Sequence, residues 1–370
     1  MEMSLHDMAH ELGKKFELRA SLHDRDGSFV KENYLELKEL KYFSALIPEE
    51  LGGGGMSHSE MCDILRIISQ YCGSTALAMS MHQHLISANV WKYKNGQGAE
   101  DTLRKIASKN LILVSTGAKD WLESNGDMIK VDGGYLVTAT KHFTSQAPIG
   151  DMMIISAPYK DPDKGWQVLH FPVPYGADGV SVMDNWDTLG MRGTGSHSTK
   201  LENVFVPDSA IVLARPQGEY HPVFNVVLTV AMPLIMAVYV GVAEKAASMA
   251  IQFAKGIVKP KDHLISAIGK LNNTLTNARL NWESMIRITN DFDFKPIKIN
   301  GHEMITRKTN VAHSCIDTVT QAMEIVGGQG YFKKMQLERL FRDVQGAKYH
   351  PYQEQEQLLF SGEFLLKENI

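Results

Sequence analysis

Apolar residues in the first part of the chain recur at three- and four-residue spacing, the period of amphipathic α-helices. Four consecutive glycines at 52–55 interrupt this pattern. Ser57 then offers an N-cap and Glu60 stands three residues later, so a capping box is expected to start a helix there. The pattern predicts helices over residues 3–20, 31–43, 57–71, 74–93 and 99–108.

Near Leu111 the period changes to that of short strands. The sequence Val-Asp-Gly-Gly-Tyr at 131–135 is a hairpin signal, and prolines and glycines punctuate the stretch. Short strands at this spacing are typical of a compact barrel or sandwich. The predicted strands are 111–114, 127–131, 135–139, 151–156, 166–171, 180–183 and 199–206.

Helical spacing returns at Pro222 and predicts long helices with short connections, which favours a four-helix bundle. The first of them carries no charged residue over 223–243, about the ~20 residues that a membrane span needs. Asn225, Pro233 and Tyr239 interrupt it, and no cluster of Lys or Arg flanks it, so a buried bundle helix is expected and not a membrane span. The predicted helices are 223–257, 263–291, 301–326, 337–346 and 353–367.

These patterns predict an α+β protein with three domains: an N-terminal α-helical domain (1–109), a middle β-barrel domain (110–212) and a C-terminal helical-bundle domain (213–370). With 38 Lys and Arg against 42 Asp and Glu, the chain of 370 residues has a net charge of −4, which argues against a general nucleic-acid binder. Its first fifteen residues mix polar and apolar side chains and predict no signal peptide.

The three cysteines, Cys62, Cys72 and Cys315, form no CxxC pair, so no disulfide framework and no metal site are expected. Such cysteine usage indicates a reducing compartment, and we expect the protein to be cytoplasmic.

Five short motifs then occur in order: IPEELGG at 47–53, LGMRGT at 189–194, LENVFVP at 201–207, EIVGGQGY at 324–331 and LFRD at 340–343. In this order and at these separations the chain resembles the acyl-CoA dehydrogenase superfamily of flavoproteins over nearly its whole length. The resemblance implies FAD bound between barrel and bundle, a partner subunit that completes the site in a dimer or tetramer, and oxidation of an acyl-CoA at Cα–Cβ. It also implies an electron-transfer flavoprotein or oxygen as the electron acceptor.

The resemblance assigns cofactor contacts to several groups of residues. The resemblance implies that a strand end and an aromatic–hydroxyl element contact the flavin ring. It implies that a glycine pair after the third bundle helix admits the adenosine diphosphate of a neighbouring chain, and that Glu324 faces its adenine or ribose. One glutamine near the C-terminus is also implied to contact the cofactor. These residues are Val114, Ser115, Thr116, Phe143, Thr144, Ser145, Glu324, Gly327, Gly328 and Gln353. Two departures stand out: residues 117–120 shorten a loop, and residues 253–261 lack the Arg and Phe-Gly pair that grip the diphosphate, so FMN is an alternative to FAD.

The catalytic glutamate of the family is missing. Its two usual positions correspond to Pro351 and, on the long apolar helix, Ala231. His350 stands directly before the vacant position, where oxygen-activating relatives of the group D monooxygenase type have a histidine. Those relatives also use a histidine of the fourth helix, so His82 or His84 is expected to line the pocket, although i, i+2 spacing excludes a shared metal.

Three functions stay open at this point. The first is a dehydrogenase of an acyl-CoA or related thioester, with hydride transfer to flavin N5 and a relocated base. The second is a flavin monooxygenase or oxidase on a small substrate that uses His350 as acid or base. The third is a flavin- or CoA-binding protein that has lost its activity.

Overall fold

The computed structural model describes residues 4–116 and 122–367, and its first part is helical as predicted. α1 extends six residues beyond the predicted end at Ala20 and stops where Gly27 takes a left-handed conformation (φ 66°). The capping box is confirmed, because the Glu60 N–H donates to Ser57 Oγ and the Ser57 N–H donates to Glu60 Oε2. The helices are α1 (Leu5–Asp26), α2 (Lys31–Glu39), α3 (His58–Ser69), α4 (Gly73–Lys94) and α5 (Glu100–Lys109).

The middle part contains two four-stranded sheets, in the orders β1-β4-β5-β8 and β2-β3-β7-β6. β8 was not predicted; it pairs antiparallel with β5, so the sheet continues past residue 212. Apolar side chains of both sheets, among them Val137, Phe171 and Leu201, form a core of their own. The strands are β1 (Leu113–Ser115), β2 (Asp127–Val131), β3 (Gly134–Lys141), β4 (Met152–Asp161), β5 (Gly165–Pro174), β6 (Val180–Val182), β7 (Thr199–Pro207) and β8 (Leu213–Pro216).

The C-terminal helices pack around α6, which also contacts α3 and α4. The helices at the two ends of the chain consequently share one hydrophobic core. α6 is long and apolar enough to cross a membrane, but 94% of its most apolar window is buried inside the fold. The helices are α6 (Val223–Lys255), α7 (Asp262–Thr289), α8 (Lys298–Val326), α9 (Leu337–Val344) and α10 (Glu354–Lys367).

Pro233 lies inside α6 and cannot donate a hydrogen bond to the carbonyl oxygen of Thr229. The hydroxyl of Thr289 on α7 donates to that oxygen instead, at 2.7 Å. The next carbonyl, that of Val230, accepts a hydrogen bond from His58 Nε2 on α3 (2.8 Å). Side chains of neighbouring helices therefore satisfy this part of α6, which keeps the helix continuous across the proline.

The sheet domain and the bundle meet where α9 contacts the loop at 189–194, in two of the motifs noted above. Arg342 pairs with Asp24 of α1 and Glu338 of α9, and it also donates to the carbonyl oxygen of Leu189. Asp343 accepts the N–H of Met191. A Cβ atom at Gly190 would lie 2.3 Å from the carbonyl oxygen of Arg342, so only glycine permits this approach. We call Arg342, Asp343 and the loop that they hold the junction.

Candidate active site

His350 and Tyr239 form the centre of the candidate site. His350 follows a 3-10 turn (Gln345–Tyr349) and has an extended backbone (φ −72°, ψ 146°), as expected before a proline. Its Nε2 atom lies 2.6 Å from the hydroxyl of Tyr239, which is fully buried in α6. Within the described residues, His350 Nδ1 has no hydrogen-bond partner. This atom is not fully buried, so a ligand or solvent can reach it.

The two histidines of α4 have different surroundings. His82 is fully buried: its Nδ1 accepts the N–H of Leu113 (2.9 Å) and its Nε2 donates to the carbonyl oxygen of Phe43 (2.7 Å). The Nδ1 atom of His84 lies 3.4 Å from the carbonyl oxygen of Ser80, a long contact that leaves Nε2 without a partner in the described chain. His82 thus connects α4 to β1 through its hydrogen bonds, whereas Nε2 of His84 is available to bind a ligand.

Electrostatics keep both candidate imidazoles neutral at pH 7. Burial, with added repulsion from Lys308 and His84, lowers the pKa of His350 to about 3. Burial lowers the pKa of His84 to about 4. Lys308 of α8 is itself buried, which lowers its pKa to about 8, and its Nζ donates to the carbonyl oxygen of Tyr352 (3.0 Å). Both imidazoles are therefore poor general bases at neutral pH.

The vacant glutamate positions hold no acid in the structure. Pro351 directly follows His350, and Ala231 is buried in α6. Of the nearby carboxylates, Glu354 pairs with His313 at the surface, and Asp343 belongs to the junction, where burial raises its pKa to about 6. No carboxylate on the 343–354 segment thus replaces the missing base beside His350.

The strand-end residues assigned to the flavin differ in exposure. Val114 is fully buried in the core of the sheets, so its side chain packs and only its backbone can serve a ligand. Ser115 ends β1 half-buried, and its hydroxyl makes no hydrogen bond to another described residue. Thr116 follows, also half-buried. The shortened loop at 117–120 lies outside the described residues.

The three residues of the aromatic–hydroxyl element, 143–145, differ in exposure and in the hydrogen bonds that they already make. Phe143 is 54% exposed, has a positive φ of 57° and packs edge-to-face on Trp186 with ring centroids 6.0 Å apart. Thr144 is committed to the sheet domain, since both its N–H and its hydroxyl bond the carbonyl oxygen of His197. Ser145 is buried, and its hydroxyl contacts that of Ser196 (2.7 Å). Phe143 is therefore the member with a free surface for a flat ring.

The remaining assigned residues lie at the surface. Glu324, Gly327, Gly328 and Gln353 are all exposed. Gly327 combines φ 64° with ψ −147°, a conformation that only glycine adopts readily and that differs from the αL conformation common at helix ends. A Cβ atom at Gly328 would meet nothing within 4 Å, so this surface is open to another molecule.

Residues 253–261 lack the Arg and the Phe-Gly pair of the family, and their charged side chains are three exposed lysines. Lys255, Lys259 and Lys261 all lie at the surface, at and after the end of α6. Part of the set fits a flavin: an exposed aromatic ring, a strand-end hydroxyl with no hydrogen-bond partner among the described residues, and an open glycine turn. This stretch contains no arginine, whose guanidinium would bind an adenosine diphosphate through two parallel hydrogen bonds.

Tyr239 and Lys308 were missed by sequence reasoning. A tyrosine within an apolar helix normally reads as core, and a lysine on a long helix as a solvated residue. The interruption of the apolar run by Tyr239 was a weak signal; the partner, His350, lies 111 positions away.

The fold and the site define a three-domain flavoprotein oxidoreductase. Three family models match in order: the N-terminal domain (residues 2–110), the middle domain (119–204) and the C-terminal domain (234–354) of acyl-CoA dehydrogenase. The chain belongs to the acyl-CoA dehydrogenase family.

Several relatives carry other activities in their names. The chain is 27% identical to L-evernosamine nitrososynthase of a Micromonospora species, across 89% of this chain and 82% of the relative. It is 25% identical to dibenzothiophene monooxygenase of Rhodococcus qingshengii, across 93% and 88%. A structure of KijD3 with FMN and an amino-keto-sugar nucleotide has a TM-score of 0.87 at 23% identity, covering 100% of this chain and 96% of that one, and shows the shared fold.

Proposed function

We propose that this protein is a flavin-dependent monooxygenase of the acyl-CoA dehydrogenase fold, and not a dehydrogenase of CH–CH bonds. One observation carries the proposal: Pro351 and Ala231 stand at the two positions where a dehydrogenase of this family has its carboxylate, and the neighbouring His350 is a neutral imidazole hydrogen-bonded to Tyr239. An acyl-CoA dehydrogenase must remove an α-proton, and an imidazole with a pKa of about 3 is a poor base for that step. The names of the nitrososynthase and monooxygenase relatives support the same choice.

Reduced flavin, when bound, supplies two electrons to O₂, so that one oxygen atom enters the substrate and the other leaves as water. The protein's contribution is two neutral imidazoles that can each form a hydrogen bond. In its contact with the Ser80 carbonyl oxygen, His84 Nδ1 must donate, which leaves Nε2 as an acceptor. His350 Nδ1 is also without a partner in the described residues. Such a pair can orient a small oxygen group and exclude net charge from its surroundings.

We propose FMN as the flavin, in place of the FAD that the family resemblance implies. The exposed lysines at 255–261 lack a bidentate fork for a diphosphate, whereas the features that suit the ring system are present in Phe143 and Ser115. The KijD3 complex contains FMN. Calorimetric titration with FMN and FAD tests this choice: FMN is expected to bind more tightly, and tighter FAD binding would reverse it.

We further propose a cytoplasmic homo-oligomer, a dimer or tetramer, acting on a small-molecule substrate. The open turn at Gly327 and Gly328 is followed by two exposed aromatic residues, Tyr331 (84% exposed) and Phe332 (69%). An apolar surface of this kind is typical of an interface. Light scattering at micromolar concentration is expected to give at least a dimer; a monomer with flavin bound contradicts it.

The rate at which bound reduced flavin is reoxidised by O₂ tests the central proposal without a known substrate. The protein loaded with reduced FMN is mixed with O₂, and the return of the oxidised spectrum is followed. His350→Gln is expected to slow this rate by about 10²-fold, since removing one positioned hydrogen-bond donor beside developing negative charge costs about that much. Glu354→Gln is the matched control, because its partner His313 is a surface residue, and it is expected to behave as wild type.

A dehydrogenase gives the opposite pattern. Octanoyl-CoA or butyryl-CoA would bleach bound oxidised flavin under anaerobic conditions at a catalytic rate, and His350→Gln would leave reoxidation unchanged. Either result would overturn the monooxygenase proposal.

A further inference from the structure

The hydroxyl of Tyr239 has a dedicated place in the fold. Tyr239 is fully buried in α6, and its hydroxyl lies 2.6 Å from Nε2 of His350. A Cβ atom at position 346 would approach that hydroxyl to 2.8 Å, so Gly346 leaves the space in which it sits. A residue with a side chain there would push the hydroxyl away from the imidazole.

The Tyr239 hydroxyl is the donor in this hydrogen bond, as its protonation state and its hydrogen-bond partner indicate. Burial raises the pKa of Tyr239 well above 10, so the phenol keeps its proton. Within the described residues His350 Nε2 is the hydroxyl's one hydrogen-bond partner, so the buried O–H donates to it. Nε2 must then carry the lone pair, and a neutral imidazole has its hydrogen on Nδ1.

We infer that Tyr239 is a positioning residue that locks His350 in the Nδ1–H tautomer, so that the imidazole offers the site a hydrogen-bond donor. The functional half of this inference rests on the proposed role of His350. In this tautomer Nε2 accepts the hydrogen bond from Tyr239. The other ring nitrogen, Nδ1, carries the hydrogen, so it can donate to a ligand but cannot accept a proton.

Two neighbouring groups agree with a neutral donor. Lys308 holds the carbonyl oxygen of Tyr352, two residues beyond His350, and its ammonium disfavours an imidazolium nearby. His84 presents an acceptor nitrogen, by its contact with Ser80. His350 thus offers a donor and His84 an acceptor, so a ligand in contact with both would accept from one and donate to the other.

NMR of the full-length protein labelled with ¹⁵N-histidine tests the lock directly. The two ring nitrogens of a neutral histidine have different ¹⁵N shifts according to which one carries the hydrogen, and His350→Gln identifies the signals. The wild type at pH 7 is expected to have Nδ1 protonated. In Tyr239→Phe the preference is expected to be lost, and the flavin reoxidation rate to change by about 10- to 100-fold, as for outer partners of ligating histidines.

Tyr71→Phe is the matched control. Its hydroxyl lies 2.9 Å from Nδ1 of His10, in a second Tyr–His pair between α1 and the turn that follows α3. This variant is expected to leave both the His350 tautomer and the reoxidation rate as in wild type.

A wild-type His350 protonated on Nε2 would overturn the inference, and this spectrum needs no Tyr239 variant that folds. An unchanged tautomer in Tyr239→Phe would also overturn it. If the tautomer changes in Tyr239→Phe but the reoxidation rate does not, the lock stands and the proposed oxygen-activating role of His350 is wrong.

Discussion

The junction and His350, which forms the imidazole pair with His84 of α4, lie on either side of one 3-10 turn, Gln345–Tyr349. The junction and the imidazole pair differ in how fully their polar groups are hydrogen-bonded. At the junction, the guanidinium of Arg342 bonds two carboxylates and a backbone carbonyl. At the imidazole pair, His350 and His84 each keep one ring nitrogen without a partner in the described chain. Arg342 and His350 are both half-buried, so burial alone does not separate the two regions.

Spare hydrogen-bonding capacity is what separates them. A buried polar group without a partner costs free energy, so a stable fold normally satisfies it. Arg342 is satisfied, which makes it part of the architecture although it stands in a family motif. The imidazoles are incompletely satisfied, which is expected where a cofactor or substrate completes the set.

The largest effect is expected at the junction. Arg342→Met removes the cation between Asp24 and Glu338, both mostly buried, and leaves their carboxylates facing each other. We expect the free energy of unfolding to fall by about 3–5 kcal/mol, the usual effect of breaking a buried pair from one side. Urea denaturation measures it.

Arg25→Met is the control, because Arg25 makes an exposed pair with its neighbour Asp26 and such pairs contribute little. Equal stability of the Arg342 and Arg25 variants would remove the structural role assigned to the junction.

The pH dependence of stability is the next expected effect. Burial raises the folded-state pKa of Asp343 from 3.8 to about 6, so its protonated form is favoured by folding. This contribution is fully present below pH 3.8 and is lost as the pH rises through 6. Relative to Asp343→Asn, the wild type is therefore expected to lose about 3 kcal/mol between pH 3.8 and pH 7.

Denaturation of both proteins across this range measures the difference, in which the titration of all other groups cancels. A difference that stays constant with pH would mean that Asp343 is ionised in the fold with an ordinary pKa.

Much of the fold could be predicted because it depends on local pattern. The capping box at Ser57 and the apolar run of α6 each depend on residues that are close together in the sequence. β8 was missed because four residues ending in proline give too little alternation to identify a strand. The distinction between His82 and His84 could not be predicted, since it depends on Phe43 and Leu113, which are remote in sequence.

A comparison of the two α4 histidines tests the same idea within one helix. His82→Leu leaves the N–H of Leu113 and the carbonyl of Phe43 without their partner, which is expected to cost about 2 kcal/mol of stability. His84→Leu breaks one long contact, so its stability is expected to stay near wild type while flavin reoxidation changes. The reverse pattern, with His84 needed for folding and His82 for activity, would contradict the assignment.

A change in charge at the site, with a small effect on stability, is expected for Lys308→Met. At neutral pH the ammonium predominates, since its pKa is about 8, and it repels a proton on His350. Methionine keeps the buried apolar stem and removes the charge, so the pKa of His350 is expected to rise. Burial is the larger cause of the low pKa and persists, so the new value should stay below the ordinary 6.5.

The ¹⁵N signals of His350, followed to the lowest pH at which each protein stays folded, measure this change. The wild-type imidazole is expected to remain neutral throughout, whereas the Lys308→Met imidazole begins to take up a proton. Lys367→Met, which alters an exposed lysine paired with Glu363 on α10, is the control and should match wild type. If His350 titrates identically in Lys308→Met and wild type, Lys308 only holds the Tyr352 carbonyl, and burial with the Tyr239 hydrogen bond is left to keep the imidazole neutral.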